Sequence, residues 1–282
     1  MALAPIDRAT LAYLGVALAF NLAYGPREPP SSLLLPGALV MAALVAGFLA
    51  PRARRAGRLG RLLAEFYPLL LIVGLYTQVG LVNTARGVSY DPLVIGWETA
   101  LFSGQPSLAW IRVFPSPAWS TLMHGAYLSY YAILVAAPLG MWWSGRFGAA
   151  RETLLLIMVT FYACYAIFLI FPVAGPRYVF PLPRNAATEV PLAVLTHRLL
   201  EGGSAWGTAF PSSHVAAGLV SALAASRHLR PLGWVLLPLV VLLSLGTVYG
   251  QFHYAVDALA GAGVALCVDW LGRRAGYDSA PE

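Results

Sequence analysis

The stretch Gly207–Asp257 reads GTAFPSSHVAAGLVSALAASRHLRPLGWVLLPLVVLLSLGTVYGQFHYAVD. Two apolar runs, 212–229 and 231–249, are separated only by the basic turn around Arg227 and Arg230, and a third run extends over 254–272. A helix of about 20 mostly apolar residues is enough to cross the hydrocarbon core of a bilayer. Three consecutive runs of that size with very short connectors have to zigzag across it. The zigzag carries two histidines to one face: His214 at the mouth of the first run and His253 at the mouth of the third.

The rest of the chain has the same character. Of 282 residues, 59% are hydrophobic and 11% charged, and the mean hydropathy is +0.70. A soluble domain carries about 25% charged residues; this chain cannot cover a surface with polar groups, so lipid must be its solvent. The expectation is an all-α integral membrane protein with about eight transmembrane helices, over 9–25, 32–50, 65–83, 119–143, 153–173, 212–229, 231–249 and 254–272. The first run has Asp7 and Arg8 before it and no small-residue cleavage site, so it reads as a retained helix and not as a cleaved signal peptide. Cys164 and Cys267 both fall inside apolar runs, which argues against a structural disulfide or a zinc site. No internal repeat or low-complexity tract occurs.

Net charge is +6, carried by arginine, since the chain has no lysine. In a soluble protein that balance would suggest nucleic acid. Here eleven of the eighteen arginines cluster in short connectors and the tail: Arg52, Arg54, Arg55, Arg58 and Arg61; Arg146 and Arg151; Arg227 and Arg230; Arg273 and Arg274. With eight spans all four segments fall on one side, which the positive-inside rule makes cytoplasmic, together with both termini. The long connectors 84–118 and 174–211 and both histidine segments then face outward. The expected partner is the bilayer and a lipid within it, not nucleic acid. Glu65 and Asp269 fall near the inner ends, where they can snorkel. Connector 84–118 mixes Trp97, Phe102, Trp110 and Phe114 with charge and reads equally as an interfacial amphipathic element or as an ordered loop.

Three segments carry chemistry. Phe210-Pro211-Ser212-Ser213-His214 is a helix-start signal whose free N–H groups and serine hydroxyls suit an anion, although serine at such a place is usually only a cap. In His253-Tyr254-Ala255-Val256-Asp257 the four-residue spacing puts an imidazole and a carboxylate on one helix face. The carboxylate would fix the tautomer and leave the other ring nitrogen free to attack phosphorus. Phe171-Pro172-Val173-Ala174-Gly175-Pro176-Arg177-Tyr178 closes the fifth run with a guanidinium suited to phosphate oxygens. His124 and Tyr131, seven apart on the fourth run, share a face with Tyr127 and Tyr130 nearby. They fit a headgroup pocket or, more simply, the core. His197 and His228 have no partner spacing.

Taken together, Pro211-Ser212-Ser213-His214 followed by His253…Asp257, after a basic segment, resembles the type 2 phosphatidic acid phosphatase superfamily. The resemblance covers roughly 65–272. It implies a six-helix catalytic core preceded by two N-terminal helices and a basic loop (1–64) and followed by a tail (273–282). It implies His253 as nucleophile, Asp257 as its partner and His214 as the acid for the leaving group. It implies substrate contacts from Arg177, Ser212, Ser213, Tyr178 and Tyr254, with no metal and no other cofactor. The phosphatase branch has an arginine six residues before the nucleophile, where this chain has Thr247. His-Tyr-x-x-Asp, Gly-Pro-Arg-Tyr and the Glu98…Leu-Phe-Ser-Gly region look more like the inositol phosphorylceramide synthase branch. That branch moves a phospho-alcohol headgroup between lipids. The implied substrate is a membrane lipid phosphoester, with an alcohol or water as acceptor. A plain lipid phosphate phosphatase is the alternative. A lipid transporter or flippase would call for inverted repeats or charges paired at mid-membrane, and a catalytically dead scaffold would not need His214, His253 and Asp257 intact.

Overall fold

The computed structural model describes residues 3–29 and 31–276. Of the expected tail, residues 277–282 lie outside the described residues. The described residues form helices and connecting loops with no strand among them.

In chain order the helices are α1 (Pro5–Tyr24), α2 (Ser31–Leu44), which continues through a π-helical turn (Val45–Leu49) into α3 (Ala50–Ala53), α4 (Gly57–Arg86), α5 (Asp91–Phe102), α6 (Pro106–Val113), α7 (Pro117–Leu128), α8 (Tyr130–Trp143), α9 (Phe147–Ile170), α10 (Pro176–Val179), α11 (Pro191–Gly203), α12 (Ser213–His228), α13 (Arg230–Tyr249) and α14 (Ala255–Arg274). Proline stands in the first turn of α5, α6, α7, α11 and α13, where its missing N–H costs nothing and its fixed φ suits the helix.

Among the described residues six helices are long and apolar enough to cross a membrane: α1, the continuous Ser31–Ala53 segment, α4, α9, α13 and α14. The bent pair α7 and α8 makes a seventh span if counted as one. The eighth expected span is α12. Its 16 residues give about 24 Å of helix, short of a hydrocarbon core of about 30 Å. α12 packs against α8, α9, α13 and α14, so neighbouring helices meet most of its surface and its length need not match the lipid.

Small residues let that happen. A Cβ at Gly261 on α14 would lie 2.4 Å from the Ser212 carbonyl oxygen, so any side chain there would push α14 off the start of α12. Gly263, by contrast, faces open space.

The basic segments converge on one end of the bundle. Arg54 bonds Asp7 and Glu65, and Arg151 bonds Glu65 at 3.1 Å. Arg227 joins Glu152 and Asp269, and Arg273 reaches Asp269 at 3.1 Å. Glu65 and Asp269 therefore do not snorkel into water. They are buried, and each is neutralised by arginines from two segments, which offsets the desolvation a buried carboxylate would otherwise suffer. All four arginine-bearing segments are tied together here, at the opposite end of α12, α13 and α14 from His214 and His253.

Connector 84–118 is helical, as α5 and α6, with an unusual polarity. The buried face of α5 carries Asp91, Val94 and Glu98, while Leu93, Trp97, Leu101 and Phe102 are exposed. Carboxylates point into the protein and apolar groups point out, as suits a helix bordered by lipid.

Candidate active site

Three segments distant in sequence meet at the end of the bundle opposite the arginines. A single parallel β-bridge pairs Val173 with Thr208, and the Ala209 N–H donates to the Val173 carbonyl at 2.8 Å. Gly175 makes the approach possible. Its φ is +95°, and a Cβ there would come within 2.9 Å of the Ala209 Cβ. The third segment is pinned to the second by the Ser212 N–H, which donates to the Asp257 carbonyl at 2.9 Å.

His253 lies in the loop before α14, not on the helix. Asp257 is in the first turn and caps it, accepting the Tyr254 N–H at 2.8 Å. The His253–Asp257 pair survives at 3.5 Å from Nδ1 to Oδ2, but through a capped helix start and not through a shared helical face. A closer partner for Nδ1 is the Ala209 carbonyl oxygen at 3.0 Å. A carbonyl can only accept, so Nδ1 carries the proton and Nε2 keeps its lone pair. That Nε2 faces His214 Nδ1 at 3.4 Å, and His214 Nε2 faces the Tyr127 hydroxyl at 3.3 Å. Since His253 Nε2 has no proton, Nδ1 of His214 donates to it and Tyr127 donates to the far side of His214. His253 is 5% exposed, and burial lowers its pKa to about 4, against a smaller raising effect of the Ala209 carbonyl.

Both histidines line a cavity together with Arg177, Tyr178, Tyr127, Tyr76, Thr208 and Phe252. Nη1 of Arg177 is buried without a hydrogen-bond partner. A guanidinium donor held in this way beside two imidazoles is suited to receive an anion. The cavity is about 30 Å³, room for roughly one water, too small for a phosphate-sized anion unless it widens. A larger cavity, about 410 Å³, lies at the arginine end between Arg54, Glu65, Arg151 and Glu152; no nucleophile or imidazole lines it.

The other expected contacts are disposed differently. Ser212 is the N-cap of α12, its Oγ accepting the Val215 N–H at 3.4 Å, and Ser212 and Ser213 are buried outside the cavity lining. Tyr178 is on the cavity wall with its hydroxyl 3.0 Å from Ser204 Oγ. Tyr254 is fully buried and donates to Asp91 at 2.8 Å. His124 and Tyr131 do not share a face. A 44° bend between α7 and α8 separates them, leaving His124 fully buried and Tyr131 66% exposed. His197, which had no partner in sequence, sits 5.7 Å ring to ring from His124 and 5.3 Å from Phe252. Burial, with His124 and Arg177 nearby, lowers its pKa to about 4.

Sequence reading overlooked Asp91. Its carboxylate accepts the N–H groups of Ala174 and Gly175 at 2.7 and 2.8 Å and the hydroxyls of Tyr254 and Ser89. Glu98, seven residues on, accepts the Val256 N–H at 3.2 Å. Burial raises its pKa, opposed by the Val256 and Ser107 hydrogen bonds. The only signal in the sequence was two carboxylates at helical spacing in an otherwise apolar connector. Among the described residues no group of three or more His, Cys, Asp or Glu is placed to hold a metal ion.

No curated protein and no solved structure matches the chain. The family model described as PAP2 superfamily matches residues 94–271, more than half of the chain and all three site segments. The chain belongs to the PAP2 superfamily.

Proposed function

We propose that the protein is a membrane enzyme that transfers or hydrolyses the phospho-alcohol headgroup of a lipid through a phosphohistidine at His253. The observation that carries the reading is the proton-free Nε2 of His253, fixed by the Ala209 carbonyl and set beside His214 and the unpartnered Arg177 Nη1.

In the first step the Nε2 lone pair attacks phosphorus while the bond from phosphorus to the leaving oxygen breaks. The departing electron pair goes to that oxygen, which takes a proton from His214; His214, neutral in the structure with Tyr127 donating to its Nε2, takes up that proton from solvent as the anionic substrate enters beside Arg177. Asp257, 3.5 Å from Nδ1, offsets the positive charge on the phosphorylated ring. Arg177 balances charge on the phosphoryl oxygens, where pre-set donors are worth most. In the second step an alcohol or water gives its proton to His214 and its oxygen attacks phosphorus. The P–N bond breaks and returns the lone pair to Nε2. Every group in this scheme is an imidazole, a carboxylate or a guanidinium, so activity should persist in the presence of a chelator.

Within the family, the inositol phosphorylceramide synthase-like reading is favoured by Thr247, which stands where the phosphatase branch has arginine. A phosphodiester donor carries about one negative charge at the phosphate and a monoester up to two. A site with one guanidinium fewer suits the diester, since a charge-assisted hydrogen bond is worth about 1.5–3 kcal/mol. Arginine placement supports an orientation with both termini in the cytoplasm and the site at the outer headgroups. The test is the ratio of kcat/KM for a headgroup-bearing phospholipid to that for phosphatidate, with His253→Ala as the blank. The expected ratio favours the headgroup-bearing lipid; a ratio favouring phosphatidate by about tenfold, roughly one such bond, would return the chain to plain phosphatase chemistry. Turnover retained in His253→Ala would end the phosphohistidine route.

A further inference from the structure

α5 touches all three site segments. Tyr90, the residue before it, stacks on Phe171 at 4.4 Å, and Trp97 packs on both Phe171 and Phe210 at 5.8 and 5.7 Å. Beneath these rings the Asp91 carboxylate holds backbone on one side and a side chain on the other. The N–H groups of Ala174 and Gly175 come from the loop that carries Arg177, two and three residues further on. The Tyr254 hydroxyl comes from the residue after His253. Ser89 supplies the fourth donor. A carboxylate offers about four lone-pair positions. All are taken, and Asp91 is not among the cavity-lining residues, so it acts through others and not on substrate.

We infer that Asp91 is a positioning residue: one buried anion on α5 holds the phosphate-binding arginine loop and the nucleophile loop at a fixed separation. The inference rests on the phosphohistidine reading above. The choice of a carboxylate supports it. Burying an anion is costly unless it is fully hydrogen-bonded, and apolar packing like that of Tyr90 and Trp97 would suffice to attach α5. Packing alone would not orient two successive N–H groups and a hydroxyl toward one point. Asparagine there would turn an NH₂ group toward donors and release at least one loop.

The experiment is steady-state kinetics of purified Asp91→Asn and Tyr254→Phe on the best lipid phosphoester, with inorganic phosphate as a competitive probe. Asp91→Asn is expected to raise KM and the phosphate inhibition constant by about tenfold or more, the scale of a lost hydrogen bond to a charged group, and to lower kcat as well. Tyr254→Phe cuts only the nucleophile link, so it should lower kcat about two- to tenfold and leave KM within twofold. A merely structural role would shrink the active fraction, lowering apparent kcat in both variants with KM and phosphate inhibition unchanged, and that result overturns the inference. If Asp91→Asn gives no folded protein, Ser89→Ala carries the test, since it removes one donor to the carboxylate: a two- to fivefold rise in KM is expected, on the scale of a single hydrogen bond, and an unchanged KM overturns it. A wild-type protein that turns over no lipid phosphoester would overturn the functional reading itself, and is distinguished from the other outcomes by the control alone.

Discussion

His253 Nε2 stands 3.4 Å from His214 Nδ1, and the Ala209 carbonyl on the opposite side of the His253 ring fixes which of the two carries the proton between them. This arrangement leaves a free lone pair on His253 Nε2, as the proposed nucleophilic role requires, without a charged base beside that atom. It also divides control of the His253 tautomer between Ala209 and Asp257. Replacing Asp257 by Asn should therefore cost less than the about 10⁴-fold seen when a triad carboxylate alone sets the tautomer. The expected loss in kcat is about 10²–10³-fold, measured as headgroup release from mixed micelles. A loss equal to that of His253→Ala would mean that the carbonyl contributes nothing.

Tyr127 is the support on the far side of His214. Its hydroxyl lies 3.3 Å from His214 Nε2, and its ring packs 4.4 Å from Phe252. Tyr127→Phe keeps the packing and removes the hydrogen bond, so kcat should fall about two- to tenfold with KM nearly unchanged, the range of one neutral hydrogen bond. An unchanged kcat would show that His214 needs no support there.

Burial holds the His253 pKa at about 4, below its ordinary value of about 6.5. His253 is thus neutral through the physiological range, and with His253 as the proposed nucleophile the acid limb of kcat/KM should fall near pH 4 and not near 6.5. Stability follows with a definite sign. Between these two values the unfolded chain binds a proton that the folded one does not, so acid favours unfolding. Stability should be unaffected by this group above pH 6.5 and should decline as pH falls toward 4. Thermal unfolding in detergent at pH 7 and pH 5 measures it. The drop between the two should be smaller in His253→Ala, and equal drops would refute the assignment.

Thr247 is fully buried, and its carbonyl accepts the N–H groups of both Phe252 and His253. Thr247→Arg would restore the arginine of the phosphatase branch but would force a guanidinium into a closed space under the loop that carries His253. Burying an unpaired charge is among the most destabilising changes known. The expected result is lost expression or a markedly lower unfolding temperature, with no gain in phosphatidate hydrolysis. A folded variant with enhanced monoester activity would show that the loop can open around it.

Glu189 is exposed in the connector between α10 and α11. Glu189→Cys, in a background lacking Cys164 and Cys267, should react with an impermeant thiol reagent in intact cells. Labelling only after lysis would reverse the orientation and move the site to the cytoplasmic face.

The helical membrane architecture was legible in the sequence because lipid imposes it locally. Each span has to be a long apolar run, and the arginines that mark one end are read from short connectors. The order and spacing of Pro211–His214 and His253–Asp257 likewise marked the two imidazoles, since each motif is contiguous. What a residue touches across the bundle was not legible in this way. The acceptor that sets the His253 tautomer is 44 residues upstream, and Asp91 is 163 residues from the Tyr254 hydroxyl it binds. No local period encodes such pairings. They exist only because Gly175 and Gly261 let backbones approach closely enough for one carbonyl and one carboxylate to reach across. The bend at Ser129 belongs to the same class. The fourth run reads as one straight helix, and only packing in the folded bundle decided that Tyr127 would face His214 while Tyr131 faced outward.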